Sequence, residues 1–221
     1  MKYFAFLLFF LVSCKEEKSS SINLQLKKEL AEMYFSDQSY RNINSETPKD
    51  SLILIAQKLN VDPVYFVNNY ISWGSQNDAK NQKRIEEIIE KYGYPGKKLV
   101  GTPENETAWL IIQHSSPKMI EKYLPLIREA NRNGDVDMQA LALMEDRNLM
   151  YQGKEQIYGS QASSVNGESI IWPIKDPKNV NQLRKEAGFV QTIEEYSKML
   201  FGEKFQYKAY TLDEVKKFQQ Q

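Results

Sequence analysis

The sequence predicts a mainly α protein: a compact multi-helix domain with one small β-hairpin at about residues 156–174. Three observations carry this. Apolar residues recur at helical spacing, as in Leu26, Leu30 and Met33, or Ile85, Ile88 and Ile89. Helix start signals repeat along the chain, with proline at a first helical position after Asp62, Thr102, Ser116 and Asp176. Asn166-Gly167 lies between two short runs compatible with strands, the strongest short-range signal for a hairpin.

Taken in order, Ile22 to Tyr40 reads as an amphipathic helix closed by the polar patch Asn42 to Lys49. Leu52 to Leu59 reads as a second. A third opens at Pro63 and runs to about Trp73, followed by a polar loop from Gly74 to Asn81. Gln82 to Tyr92 is again amphipathic, and Gly93 ends it. Thr102-Pro103 opens a helix with Glu104 and Glu106 in its first turn, where the helix dipole favours anions. Its body, Ala108 to Ile112, is apolar on every side, which fits a buried helix or a short strand. The next helix begins at Ser116-Pro117, and Pro125 should kink or split it. Another runs from about Val136 to Gln152. The hairpin follows, with strands at Gln156–Ser164 and Glu168–Ile174. Asp176-Pro177 then starts a helix closed by Gly188. Thr192 with Glu195, and Thr211 with Glu214, have capping-box spacing and start two more.

Composition narrows the chemistry. Among 221 residues, Lys+Arg 29 balances Asp+Glu 29, so no basic field favours nucleic acid and no nucleic-acid partner is expected. The single histidine excludes zinc sites built on two or three of them. No Asp-rich loop of EF-hand spacing is present, and neither a metal nor another cofactor is expected.

The N-terminus suggests a location. Met1-Lys2, the apolar run Tyr3 to Val12 and Ser13-Cys14 have the make-up of a secretory signal, too short to span a bilayer. Leu11-Val12-Ser13-Cys14 resembles a bacterial lipobox, in which cleavage before the cysteine leaves it to carry lipid. On that reading residues 1–13 are the signal peptide, 14–21 a tether and 22–221 a single, mostly helical domain. Cys14, the only cysteine, is the lipidation site, which leaves the mature fold without thiol or disulfide. Lys15-Glu16-Glu17 resembles the short export signal of Bacteroidetes surface lipoproteins, and equally fits an ordinary charged tether. The expected location is the outer membrane, through lipid on Cys14, with either leaflet open.

Three constellations could carry chemistry. On the helix from about Val136 to Tyr151, Arg147 projects near the centre of the apolar side, at roughly 100° per residue. A buried guanidinium needs partners, so a carboxylate or several carbonyls should surround it, with Asp176 and Asp146 as candidates. It is either a structural clamp or an anion-binding arginine, for which its bidentate fork is suited. His114 ends the apolar helix, as a half-buried structural residue or as a proton shuttle working with Asp146. No Gly-x-Ser-x-Gly elbow accompanies it. Gln156-Ile157-Tyr158-Gly159-Ser160-Gln161 reads as a strand with a central glycine. Its polar face could bond a sugar or a peptide, or simply form a bulged hairpin.

These places together resemble a bacterial family catalogued only as a domain of unknown function, many of whose members look like Bacteroidetes lipoproteins. The residues that carry the resemblance are Trp109 to His114, Tyr123-Leu124-Pro125, Asp146-Arg147, Gly153-Lys154, Gln156 to Gln161, and Pro173 to Pro177 with Asn181 and Arg184. It covers about residues 82–200. Ser160 stands where the family is associated with threonine, which keeps a hydroxyl. The resemblance implies no activity. It does bring His114, Asp146, Arg147, Tyr158, Gln161 and Asp176 together as recurring polar residues expected to line one site; the chemistry of the residues themselves makes His114 and Asp146 its catalytic candidates and the others its ligand-binding ones.

Two functions follow as expectations. One is a lipid-anchored envelope protein that works as a binding or interaction module, with a small molecule, glycan or protein as its unidentified partner. The alternative is an envelope hydrolase or lyase acting on a glycan or peptide. Convergence of His114, Arg147 and Tyr158 on one open pocket would favour the second.

Overall fold

The computed structural model describes residues 21–219. The signal-peptide and lipidation readings at residues 1–13 and Cys14, and most of the tether, lie outside them. The described residues form ten α-helices, one 3-10 turn and one antiparallel hairpin, the mainly α architecture the sequence predicts. No helix among them is long and apolar enough to cross a membrane.

Helix α1, Leu24–Arg41, starts where the Asn23 side chain accepts the Leu26 N–H at 3.0 Å. Helix α2 spans Lys49–Lys58, and α3 spans Pro63–Tyr92. The sequence reading breaks α3 into two helices with a loop at residues 74–81, whereas the structure carries the helix straight through. Its one irregularity is a kink at Asn69. The polar residues that look like a loop face α1. Asn77 and Asn81 both donate to Ser36 Oγ, and Asp78 accepts from Tyr40 Oη at 2.6 Å. Gly74 lies against the Tyr40 ring so closely that a Cβ there would sit 2.5 Å from it. Apolar periodicity is lost because this stretch meets its neighbour through hydrogen bonds.

Short helix α4, Lys97–Val100, and the 3-10 turn Glu104–Glu106 lead into α5, Thr107–Gln113. Helix α6, Pro117–Arg132, has Ser116 as its cap, and α7 covers Met138–Tyr151. Pro125 does not split α6. It lies on the exposed face, where water can serve the carbonyl it leaves unbonded. The main core lies between α1, α3, α5, α6 and α7. Leu30, Ile85, Ile88, Ile111, Ile120 and Ile127 are all buried there. Each such side chain contributes roughly 1.5–3 kcal/mol on leaving water.

The hairpin pairs β1, Ala162–Val165, with β2, Glu168–Ile171. Asn166 and Gly167 both take positive φ, 51° and 81°, as a tight turn matched to strand twist requires. The strands are shorter than expected because residues 156–161 form a loop, joined to Ile174 by a single parallel bridge at Gln156. Helix α8, Val180–Glu186, begins later than Asp176-Pro177 suggests. Helices α9, Ile193–Phe201, and α10, Leu212–Gln219, follow the two capping sequences. In both, threonine and glutamate exchange hydrogen bonds with each other's backbone N–H.

Candidate functional site

Asp146 explains why residues 156–161 leave the ladder. Its side chain, 0% exposed, points from α7 into the loop and accepts the N–H groups of Ile157 at 2.7 Å, Tyr158 at 3.1 Å and Ser160 at 2.9 Å. Those N–H groups therefore serve a carboxylate instead of a partner strand. Burial raises the Asp146 pKa, and the N–H bonds oppose the shift. Gln156, also 0% exposed, braces the same loop. Its amide accepts the Gln161 N–H and donates to the carbonyls of Gln161 and Trp172. Gly159 is required twice over: its φ is +69°, and a Cβ would meet Ile193 at 2.6 Å.

The loop braces Arg147 in turn. Its Nε donates to Gln161 Oε1 at 3.1 Å and its Nη1 to the Gln113 carbonyl, the last of α5, at 2.6 Å. The expected carboxylate is missing: among the described residues none lies within 4 Å of this guanidinium. Asp146 serves the loop. Asp176 is exposed and accepts from Asn179 Nδ2 at 2.8 Å. Nη2 of Arg147 has no protein partner among the described residues, and the side chain is partly exposed. Desolvation lowers its pKa.

A second guanidinium lies beneath the loop. Arg184, 1% exposed, lies over the rings of Phe189 and Tyr196 and donates to the carbonyls of Tyr158 and Gln191. It too has no carboxylate within 4 Å among the described residues, and its Nη2 is buried without a partner. In the sequence Arg184 stands only among the residues that carry the family resemblance. Tyr196 links the parts, its hydroxyl donating to the Ser160 carbonyl at 2.8 Å.

His114 caps the end of α5, directly after the residue whose carbonyl holds Arg147. The partner considered for it in the sequence was Asp146, and the structure supplies Asp37 of α1 instead, 2.9 Å from Nδ1. Asp37 is 1% exposed and receives Gln38 Nε2 and Arg41 Nη1 as well. Arg41 in turn pairs with Asp78 of α3. A carboxylate can only accept, so Nδ1 carries a hydrogen, and in the neutral ring Nε2 is then the acceptor. The signal for Asp37 was present in the sequence. It continues the Leu26, Leu30, Met33 stripe by four residues, a charge on an apolar face much like Arg147. The polar run Ser36 to Ser39 hid it.

Arg147 thus reaches the end of α5 at the Gln113 carbonyl, with Gln161 beside it, while the ring of the next residue, His114, turns to Asp37 on α1. Tyr158 takes another direction. Its N–H goes to Asp146, its carbonyl takes Arg184 and its ring stands beside Phe189. A cleft of about 180 Å³ near Trp109 and Leu143 and a wider groove of about 410 Å³ near Lys83 and Lys122 are lined by other residues. Among the described residues no cluster of three or more His, Cys, Asp or Glu side chains could hold a metal ion.

Residues 65–210 match the model of a family of unknown function (DUF6624). The chain belongs to this family. The DUF6624 match is wider than the 82–200 suggested by the sequence resemblance, and it contains His114, Asp146, Arg147, Arg184 and the braced loop. Asp37 and Arg41 lie before it. No curated protein and no solved structure matches the chain.

Proposed function

We propose that this DUF6624 protein is a lipid-anchored component of the bacterial cell envelope, held at the outer membrane through Cys14, and that its helical domain binds an anionic ligand at Arg147. One observation supports the binding role most: a partly exposed guanidinium, fixed by Gln113 and Gln161, has no carboxylate near it and one nitrogen unused. Arg184 is equally without a carboxylate but sealed from solvent, so the partly exposed Arg147 is the guanidinium whose spare nitrogen an anion can reach. A bound carboxylate or phosphate would complete the fork.

The hydrolase or lyase reading keeps one observation in its favour, the orientation of His114 by Asp37, since an imidazole with a free Nε2 can accept a proton. Binding is tested by thermal unfolding in rising inorganic phosphate, with chloride controls of equal ionic strength. The wild-type melting temperature should rise with phosphate and that of Arg147→Met should not. Equal responses in the two proteins would refute the site.

A further inference from the structure

The cleft of about 180 Å³ beside Trp109 lies where two helices begin, and both begin on an acidic residue. Glu106 stands at the N-cap of α5 and Asp137 at the N-cap of α7, and both line the cleft. Aspartate at an N-cap normally accepts a backbone N–H of the first turn. Neither of these side chains makes such a bond, and neither has a cation within 4 Å among the described residues. Both residues are exposed, whereas the wall between them is apolar. Val136 is buried there, and Trp109, Ala140 and Leu143 are half-buried. The indole is fixed in that wall, because its Nε1–H donates to the Ala140 carbonyl at 3.0 Å. No residue lining the cleft is basic.

Size limits the occupant. A cavity of about 150 Å³ takes a benzene ring, while whole small-molecule ligands fill about 300–1,000 Å³. The cleft has room for one side chain. Its apolar wall suits a hydrocarbon stem, and the two uncompensated carboxylates at its rim suit a cation at the tip of that stem. An indole in the wall adds attraction for a cation over its face. We infer that the cleft between α5 and α7 is a docking site for a basic peptide segment, which inserts one lysine or arginine side chain with its stem against Trp109 and Leu143 and its charge at Glu106 and Asp137. Neither Arg147 nor its two partners line this cleft, so the inference stands apart from the anion site.

The test follows the indole N–H signals of the three tryptophans by ¹⁵N NMR in the full chain, with Trp109 identified through Trp109→Phe. The probes are blocked tripeptides, acetyl-Gly-X-Gly-amide, in which X is lysine, arginine, norleucine or glutamate. The lysine and arginine peptides should shift the Trp109 signal saturably and leave Trp73 and Trp172 in place. The norleucine peptide keeps the stem without the charge and should bind at least tenfold more weakly, and the glutamate peptide should not bind. Sodium chloride should weaken the lysine peptide and leave norleucine unchanged, a comparison that needs no variant. The double variant Glu106→Gln with Asp137→Asn should lose the preference for lysine over norleucine, with unmoved Trp73 and Trp172 signals reporting an intact fold. A Trp109 signal that no peptide moves would overturn the docking site. Equal affinity for lysine and norleucine, lysine binding indifferent to salt, or an undiminished preference in the double variant would overturn the basic partner.

Discussion

Asp146 directs both carboxylate oxygens at the backbone of one loop, and that loop in turn presents Gln161 to Arg147. Replacing it with asparagine puts an NH₂ group among N–H donors and removes charge-assisted bonds. Asp146→Asn should cost about 3–5 kcal/mol, measured as a loss of unfolding free energy in urea. Its pH dependence has a definite sign. The folded-state pKa is raised, so the folded protein holds this proton more strongly than the unfolded chain does. The contribution of Asp146 to stability therefore falls as pH rises from the ordinary carboxylate range through the raised value. Glu86, Glu195 and Glu214, whose pKa values are lowered, act in the opposite sense and lose their contributions as pH falls. Urea midpoints across pH should consequently differ in slope between wild type and Asp146→Asn, the wild type falling more steeply or rising less with pH. At this scale the sequence revealed Arg147 through its place on an apolar helix face. It could not reveal that Asp146 and Gln156 brace a loop, since only the folded backbone brings those N–H groups to them.

At the scale of elements, α1 and α3 meet through Gly74 under Tyr40 and a row of polar contacts. Gly74→Ala should raise intrinsic helix propensity yet destabilise the protein by about 1–3 kcal/mol, because the added methyl meets an aromatic ring. Combining it with Tyr40→Ala should recover part of that loss, and a double-mutant cycle from chemical denaturation measures the coupling. Additive effects would place Gly74 away from Tyr40. Periodicity carries no signal at this interface, for a helix whose buried side is polar has no apolar stripe to find. Caps were easier. Asn-Gly at the hairpin and the threonine–glutamate pairs at α9 and α10 depend on neighbours within a few residues, so their signals survive in sequence alone. The loop at 156–161 depends on α7, and its alternating residues imitate a strand.

For the whole molecule, the helical core and the hairpin were legible because burial sorts residues by hydrophobicity. The charged junction was legible only in part. Its members come from α1, α5, α7 and the loop, separated by up to 77 residues in a single contact. The same junction ties α1, which begins before the DUF6624 match, to the matched segment. The anchor reading at Cys14 belongs to this scale too. Cys14→Ser should move the protein from the membrane to the soluble fraction of fractionated cells, and unchanged membrane retention would count against it. Anion binding at Arg147 can be followed at the side chain itself. Arginine Nε–H signals, followed by ¹⁵N NMR during phosphate titration, should show a saturable shift of Arg147 with the sealed Arg184 far less affected, and Arg147→Lys should identify the signal by its loss. An Arg147 signal that stays still, or that drifts without saturation alongside exposed arginines, would mean that no anion binds there.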